Sequence, residues 1–541
     1  PLPVYLFAFA AGRFDTISFR NTKHPMVLYH RENDVKKIRN NAAAIFRLAD
    51  SSLCFMERYT GIAYPFPKYD LVAIPSFQYG GMEHPGCIFL NASRVFLAEN
   101  PSADDLMERA NLIAHETAHI WFGDYVTMPW FDEVWMKEVF AGFMADKITG
   151  YLFLKEDFRL RFLLAHYPPS YDIDRTQGTN PIAQKLVNLN IAGSLYGNII
   201  YHKAPIAIMQ LEKLAGEEVF RQALREYLSE HPYGTAGWKD LATHLPSLPE
   251  TSVKNWTNAW LHGSGVPEII FRVRTEKERP IIRITHRKHS GDAHILPQYV
   301  KIAWVSKGKF ISCDSIFLNR TTANLILSEL VTTRSVPLPN PDGTTYGIIL
   351  PDKKILDSCF AFLASNDDTR PVTRASLWIM LYENLLADSI HPEIFFRNLL
   401  HTLQIEKEPL LSSRLQKYLT RTYWQMLPPS VRGKYNRKVE HILWTQMQRA
   451  EKESKRTFFF SWLSVMESKE AMETCRQILE GSLVLPGFTP DEKDKNRIAL
   501  ELGLRDSAHW KSILLKRIEE CSNPDEKARM QFILPALSPE I

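Results

Sequence analysis

At residues 111–147 the chain reads NLIAHETAHIWFGDYVTMPWFDEVWMKEVFAGFMADK, which contains the pattern HETAH. Positions i and i+4 of an α-helix lie on one face, so His115 and His119 can offer imidazole nitrogens to one metal ion, with Glu116 beside them. A catalytic zinc site needs a third protein ligand and leaves one position open for water. Glu138, which follows His119 after 18 intervening residues, supplies the third ligand.

The sequence around this pattern favours a metal site over the alternative of two histidines packed in a core. With 17 His in 541 residues, a chance match to the pattern is expected about 0.03 times per chain. Residues 104–113 have helical periodicity, Ser102 is a candidate N-cap, and two Asp stand in the first turn. A second predicted helix over 132–148 carries the third ligand. The pattern therefore lies in the pair of helices that a metal site requires.

Upstream, the segment GGMEH at 80–84 precedes a predicted strand over 87–90. Two adjacent glycines let a ligand or another backbone approach an edge strand closely, and an extended peptide can add to such an edge through main-chain hydrogen bonds. Glu83 would then face the free α-ammonium of that peptide, a charge-assisted pair that makes an exopeptidase. Taken alone, the segment is better interpreted as a Gly-Gly turn with a solvated Glu. The neighbouring zinc pattern reverses that preference.

The HExxH pattern at 115–119, Glu138 and the segment at 80–84 together resemble the zinc aminopeptidases related to aminopeptidase N, which are gluzincins also known as membrane alanyl aminopeptidases. The resemblance is sharpest over 64–201 and weak from about residue 352 onward. It implies one Zn²⁺ per chain and peptide substrates with a free N-terminus.

The resemblance also assigns chemical roles. Glu116 would be the general base that takes a proton from the metal-activated water and later passes it to the leaving amine. Tyr201, a packing residue if judged alone, matches a family tyrosine just before an x-Lys-Ala segment and would donate its phenol O–H to the oxyanion. Tyr196 would assist it. The implied metal ligands are His115, His119 and Glu138.

Substrate contacts are implied mainly for the segment at 80–84. There Glu83 would anchor the free amino terminus and so count one residue in from the end of the peptide. The implied substrate-binding residues are Gly80, Gly81, Met82, Glu83, His84 and Tyr196.

The sequence departs from the family pattern at several of these sites. His84 stands where Asn is usual, and Lys137 and Val139 replace the Asn and Gly that commonly flank the third ligand. Ala145 takes a place that is often acidic, and Asp146 follows it. A metal-bound His normally donates its second N–H to a carboxylate or carbonyl, but the sequence does not identify that group.

Composition excludes several classes of protein. A chain of 541 residues is too long for one core and predicts three to four domains. The net charge is +4 with Lys and Arg spread along the chain, so we expect no nucleic-acid partner. Six scattered Cys predict isolated thiols, and no apolar run is long enough to predict a membrane span. We expect a soluble protein, cytoplasmic or periplasmic/extracellular, and the sequence leaves compartment and oligomeric state open.

The predicted fold class is a multidomain α+β protein. The apolar stretch 3–14 lacks a basic leader and a cleavage site, so we interpret it as a buried strand and not as a signal peptide. In the family such a strand closes an N-terminal β domain, most of which would be absent here. The predicted division is the end of that β domain at 1–20, a thermolysin-like α/β catalytic domain at 21–266, a small β-sandwich at 267–351, and a C-terminal superhelical domain of α-helices at 352–541.

Within these parts the periodicity predicts helices over 34–59 and 211–230, with Gly61 just past the first of them. Pro168-Pro169 is expected to break a helix. Strands are expected at 281–285, 299–305 and 323–327.

The sequence thus predicts a zinc-dependent aminopeptidase. Two alternatives stay open. A thermolysin-like endopeptidase would use the same metal ligands without needing Glu83. A non-catalytic relative acting as a binding scaffold would be expected to have lost a ligand or Glu116, and all of them are present.

Overall fold

The computed structural model describes residues 2–20, 22–153, 158–245, 248, 251–276, 279–288, 295–306, 309–326, 335–365, 370–506 and 508–537. This part of the chain mixes α and β structure, with several small sheets before residue 351 and helices after it. It forms two compact units, one of Pro1–Val95 with Met107–Ile390 and the other of Phe96–Leu106 with His391–Ile541.

The strands of the described residues all lie in the first unit. They are β1 (Asp15–Phe19), β2 (Met26–His30), β3 (Asp70–Ile74), β4 (Gly81–Met82), β5 (Cys87–Asn91), β6 (Val126–Thr127), β7 (Gly234–Thr235), β8 (Pro267–Glu276), β9 (Arg279–Lys288), β10 (Gln298–Ser306), β11 (Lys309–Leu318), β12 (Thr322–Ile326), β13 (Val336–Pro339) and β14 (Ile348–Leu350). They form sheets in the orders β1-β2-β3-β5-β4, β6-β7, β12-β9-β8-β14 and β11-β10-β13.

The α-helices run through both units. They are α1 (Val35–Thr60), α2 (Ala92–Val95), α3 (Ala103–Ala118), α4 (Val134–Leu152), α5 (Phe158–Asp174), α6 (Ala204–Ala215), α7 (Glu217–Glu230), α8 (Trp238–His244), α9 (Val253–Trp260), α10 (Lys353–Ser365), α11 (Pro371–Leu386), α12 (Pro392–Thr402), α13 (Pro409–Gln425), α14 (Pro429–Arg449), α15 (Lys452–Val465), α16 (Lys469–Glu480), α17 (Glu492–Arg505), α18 (Trp510–Glu520) and α19 (Pro524–Ile533). Short 3₁₀ or π turns lie at Val4–Leu6, Phe131–Glu133, Leu189–Ser194, Ile199–Lys203 and Leu534–Leu537.

The five-stranded sheet places the glycine-rich segment at an edge. β2, β3 and β5 are parallel neighbours, and β4 pairs antiparallel with β5 through Gly81–Leu90 and Met82–Phe89. The apolar runs of β3 and β5 are buried, as expected for strands inside a parallel sheet. β4 is the last strand of the sheet, so the edge position predicted from the paired glycines is present.

Local capping explains where two predicted helices begin and end. The side chain of Asp34 accepts a hydrogen bond from the Lys37 N–H at 3.1 Å, and Gly61 takes a left-handed conformation (φ +76°) just past α1. Ser102 and Asp105 form a reciprocal pair at the start of α3, each side chain accepting from the backbone N–H of the other. Both helices were predicted from the sequence.

The N-terminal segment corrects the sequence analysis. Residues 3–14 do not form a buried strand: Val4–Leu6 is a 3₁₀ turn, and Val4, Phe7 and Phe9 are more than 80 % exposed. Apolar composition alone does not make a strand, because its backbone groups need a neighbouring strand. None of the described strands pairs with this segment.

Two helix predictions were also wrong. Pro168 and Pro169 lie inside α5 and do not break it. Much of this helix is buried, and tertiary packing can outweigh the poor propensity of proline. The predicted helix 211–230 is instead two helices, because Gly216 adopts φ +91° between α6 and α7.

From residue 267 the strands β8–β14 build a four-stranded and a three-stranded sheet, and helices follow from Lys353. The strands expected at 281–285 and 299–305 lie within β9 and β10. The strand expected at 323–327 corresponds to β12, with Leu327 outside the described residues.

Candidate metal centre

Two neighbouring helices bring three donor atoms together. His115 lies in the last turn of α3, and His119 directly follows the last residue of that helix, where its backbone N–H still donates to the His115 carbonyl. The Nε2 atoms of the two histidines are 3.0 Å from each other. α4 carries Glu138, whose Oε2 lies 3.6 Å from His115 Nε2 and 3.5 Å from His119 Nε2. The three side chains predicted as ligands therefore point at one another.

The backbone orients one of the imidazoles. His119 is 1 % exposed, and its Nδ1 lies 3.0 Å from the carbonyl oxygen of Phe122. A carbonyl can only accept, so it favours the tautomer with the proton on Nδ1 and leaves Nε2 free to bind a metal. This carbonyl is the partner that the sequence left unidentified.

Glu116 lies directly beneath the edge strand. It is 4 % exposed, and within the described part of the chain its Oε2 has no hydrogen-bond partner. A Cβ added at Gly81 would lie 2.6 Å from both Cγ and Cδ of Glu116. Glycine at this position is therefore what allows strand β4 to cross over the Glu116 carboxylate.

Glu83, at the end of the same edge, is buried and already has a cationic partner. Lys137 Nζ donates a hydrogen bond to Glu83 Oε1 and lies 3.4 Å from Glu138 Oε1. The ammonium thus lies between the carboxylate predicted to hold the substrate amine and the carboxylate predicted to hold the metal. In the sequence, Lys137 stands out only as a departure from the family pattern.

The N-terminal segment contacts the same cluster. Lys137 Nζ donates to Tyr5 Oη at 3.3 Å and lies 4.8 Å from the centre of the Tyr5 ring. His84, which stands where Asn is usual, has its Nδ1 2.9 Å from the carbonyl oxygen of Leu6. Neither contact could be read from the sequence, because the partners are more than 70 residues apart.

Tyr201 lies near the histidine pair. It belongs to the π-helical turn Ile199–Lys203, and its ring centre is 6.3 Å from that of His115. Tyr196 stacks on Tyr201 at 6.4 Å, and both side chains are more than one-third exposed. Isolated π turns are frequent at functional sites. The structure therefore brings both predicted tyrosines close to the histidine pair.

Burial and neighbouring charges shift the pKa values of the three carboxyl groups in different directions. Burial raises the pKa of Glu116 well above its ordinary value, although His119 opposes the effect. Burial would also raise the pKa of Glu83 and Glu138, but Lys137 and His119 outweigh it. The pKa of Glu83 falls to about 2, and that of Glu138 lies well below its ordinary value. Glu116 is thus the member of the set best suited to holding a proton.

The basic and phenolic groups are shifted as well. Burial lowers the pKa of His119, but Glu83 and Glu138 outweigh it and raise the pKa to about 9. Burial, together with nearby carboxylates, raises the pKa of Tyr196 to about 12 and that of Tyr201 above its ordinary value. Both phenols therefore keep their protons near neutral pH and can act as hydrogen-bond donors.

Asp146, which follows the position where the family is often acidic, serves another network. Its carboxylate accepts hydrogen bonds from Asn111 Nδ2 at 3.2 Å, Arg161 at 2.7 Å and His166 Nε2 at 2.7 Å. His166 in turn lies 3.3 Å from His202, the residue after Tyr201. The contacts of Asp146 link α3, α4 and α5 around the histidine pair, and do not orient a predicted ligand directly.

The donor set fits a zinc ion. Two imidazoles and one carboxylate are the ligands of many catalytic zinc sites, and here one imidazole is oriented by a carbonyl oxygen as such sites require. A second group, His24, Cys54 and Glu57, also has donor atoms within 4.8 Å of one another. There, however, Lys23 and the backbone N–H of Tyr64 already donate to Glu57.

Comparisons with known proteins point in the same direction. Residues 46–260 match the model of the Peptidase family M1 domain. Leucyl aminopeptidase of Saccharolobus solfataricus is 29% identical over 283 residues, which are 51% of this chain and 36% of that protein. Tricorn protease-interacting factor F2 of Thermoplasma acidophilum is 29% identical over 268 residues, covering 50% of this chain and 34% of that protein. Glutamyl aminopeptidase of Bos taurus is 28% identical over 271 residues, covering 49% of this chain and 28% of that protein.

These matches confirm the family resemblance that the motifs indicated. The matched stretch nevertheless spans only 28% to 36% of the length of these relatives. Among the described residues, no helix combines the length and the apolar character needed to cross a bilayer.

Proposed function

We propose that this chain, whose residues 46–260 match the model of the Peptidase family M1 domain, is a zinc-dependent aminopeptidase that removes the N-terminal residue of peptides. The observation that best supports this function is the approach of the His115, His119 and Glu138 donor atoms to within 3.6 Å of one another beside the buried Glu116. An edge strand crosses the same point, where an extended peptide could pair with it.

In this proposal His115, His119 and Glu138 hold one Zn²⁺. When bound, zinc supplies a Lewis acid that polarises a carbonyl and lowers the pKa of a water molecule. The Phe122 carbonyl fixes the tautomer of His119. Lys137 lies beside Glu138 Oε1 and so favours the presentation of Oε2 to the two imidazoles.

Glu116 transfers the proton of the attacking water. It accepts a proton from the attacking water and delivers that proton to the amine that leaves. A base matched to this task needs a pKa raised towards the working pH, and burial shifts the Glu116 carboxyl in that direction. Tyr201 keeps its phenol proton and donates a hydrogen bond to the oxyanion of the tetrahedral intermediate, with Tyr196 stacked behind it.

The substrate backbone is positioned by the edge of the five-stranded sheet. Gly80, Gly81 and Met82 offer that edge, and Glu83 at its end receives the α-ammonium of the substrate. His84 holds the edge in place through its contact with the Leu6 carbonyl. Recognition of a free amino terminus beside the hydrolytic group makes the enzyme an exopeptidase.

We assign the wider architecture in the same way. Residues 21–266 would form a thermolysin-like catalytic domain, 267–351 a β-sandwich, and 352–541 a superhelical domain of α-helices. Residues 15–19 form strand β1, which pairs with β2, so the boundary expected after residue 20 would lie before this strand instead. The strand-rich stretch β8–β14 and the helices from Lys353 onward are compatible with this division.

The test is turnover of a panel of aminoacyl-anilides by the purified chain, with and without a chelator, together with zinc content by atomic absorption. We expect one zinc per chain and chelator-sensitive release of the anilide. Peptides with free and acetylated amino termini separate the alternatives. Equal cleavage of both forms would identify an endopeptidase, and absence of turnover with zinc bound would identify a scaffold.

A further inference from the structure

A lysine already occupies the carboxylate proposed to bind the substrate amine. Lys137 Nζ donates to Glu83 Oε1, and both side chains are at most 5 % exposed. Chemically, the end of a lysine side chain and the amino terminus of a peptide are both primary alkylammonium groups. In the free protein the ammonium group of Lys137 thus occupies the position on Glu83 that the α-ammonium of the substrate would take.

We propose that Lys137 is a specificity-determining residue that competes with the α-ammonium of the substrate for Glu83. The inference rests on the proposed function, since it assumes that Glu83 is the amine anchor. A substrate with a free amino terminus binds by taking over the Glu83 carboxylate, and its affinity is the difference between its own ion pair and the one that Lys137 gives up.

The displaced ammonium has other partners within reach. Besides Glu83, Lys137 Nζ lies 3.4 Å from Glu138 Oε1, 3.3 Å from Tyr5 Oη and 4.8 Å from the centre of the Tyr5 ring. A buried ammonium without partners is strongly disfavoured. Here two oxygens and an aromatic face remain after Glu83 is taken, so a small rotation of the lysine keeps its charge satisfied.

Lys137 also gives the free protein a stable site. A buried carboxylate needs a partner to remain ionised, and Lys137 supplies one to Glu83 before substrate arrives. Selectivity follows from this arrangement. A ligand without a positive amino group has nothing to exchange with the lysine, whereas an α-ammonium can replace it charge for charge.

The first arm of the test is kinetic. Lys137→Met keeps most of the side-chain volume and removes the charge, so we expect KM for alanyl-anilide to fall by about tenfold, the change that follows when one charge-assisted contact no longer has a competitor. Lys147→Met is the matched control. Lys147 lies on the same helix and pairs with Glu212 at 2.8 Å, and its loss should leave KM unchanged. An unchanged or raised KM in Lys137→Met would overturn the inference.

The second arm needs no catalysis and no metal. In Lys137→Ala the truncated side chain leaves room for n-propylammonium, which has the three carbons and the ammonium that the substitution removes. We expect n-propylammonium to raise the melting temperature of metal-free Lys137→Ala and to leave that of the metal-free wild type unchanged. If Lys137→Ala is unfolded on its own, we expect n-propylammonium to restore a melting transition, and failure to do so would count against the inference.

The two arms separate two kinds of failure. No turnover of any aminoacyl-anilide by the wild type would refute the proposed function, while the amine-binding arm would still report on the Glu83 site. Turnover by the wild type without any ammonium-dependent stabilisation of Lys137→Ala would refute the competition and leave the proposed function in place.

Discussion

Replacing Gly81 by alanine tests whether strand β4 and Glu116 form one working unit. The new Cβ would lie 2.6 Å from Cγ and Cδ of Glu116, whereas carbon atoms in contact prefer about 3.5–4.0 Å. Either strand β4 or the Glu116 side chain must therefore shift by about 1 Å. The neighbouring strand β5 and the helix α3 are both well buried, so the carboxylate is the part that we expect to yield.

A displacement of that size has a calculable effect on turnover. Misplacing a reacting group by about 1 Å can reduce the rate about 10²-fold, which corresponds to about 2.7 kcal/mol in the activation free energy. Overpacking should also lower the free energy of unfolding by about 1–3 kcal/mol. We expect kcat for alanyl-anilide to fall about 10²-fold with a much smaller change in KM, because Glu116 acts on the water and not on binding of the peptide.

The assay compares kcat, KM, zinc content and urea unfolding of Gly81→Ala with those of Gly80→Ala. At Gly80 the added Cβ would meet only Leu112 Cδ1 at 3.3 Å and Arg94 Cδ at 4.0 Å, which are ends of flexible side chains. Gly80→Ala should keep kcat within about threefold of wild type. If Gly81→Ala keeps wild-type kcat, or if both variants lose it equally, the close approach of strand β4 does not position the Glu116 carboxylate.

Three further outcomes follow from the same geometry. Glu116→Gln should retain zinc by atomic absorption while kcat collapses, and unchanged turnover would remove Glu116 as the base. Tyr201→Phe should lower kcat about 10²-fold at nearly constant KM, the usual effect of losing one oxyanion donor; a change confined to KM would contradict that role. For Asp146, burial raises the pKa but Arg161 and His166 outweigh it and hold it at about 2, against an ordinary value of 3.8. The ionised Asp146 therefore contributes about 2 kcal/mol to the free energy of unfolding, and this contribution is present above pH 4 and lost as pH falls towards 2. Asp146→Asn should flatten that part of the urea-unfolding pH profile. An unaltered profile would count against the pKa assignment.

Features set by local sequence were predictable. Helix α3 follows from Ser102, Asp105 and the apolar periodicity, and the i, i+4 spacing at its C-terminal end then places His115 and His119 on one side. The edge position of strand β4 follows from a pair of glycines beside a buried strand. In each case the residues that determine the structure lie within a few positions of the residues whose placement they determine.

Features that depend on distant partners were not predictable. The stretch 3–14 has the composition of a buried strand, yet a strand forms only where another strand offers its hydrogen-bonding groups. Pro168 and Pro169 stay inside a helix because that helix is buried, which propensity does not show. The split at Gly216 is different, because a glycine within a helical pattern is itself a candidate helix stop, and Gly216 does take a positive φ of +91° there.

Lys137 combines a feature that the local sequence shows with one that depends on the fold. The residues around it on α4 are almost all apolar and buried, so the sequence could have shown that this lysine lies in the protein interior and needs a carboxylate. The adjacent Glu138 is an obvious candidate, whereas Glu83 is 54 residues away and reaches Lys137 only because strand β4 ends beside α4. Local reasoning can thus establish that a buried charge must be paired, but the choice of partner depends on the fold. Here that choice determines whether the Glu83 carboxylate is free to bind the substrate amine or is already paired with Lys137.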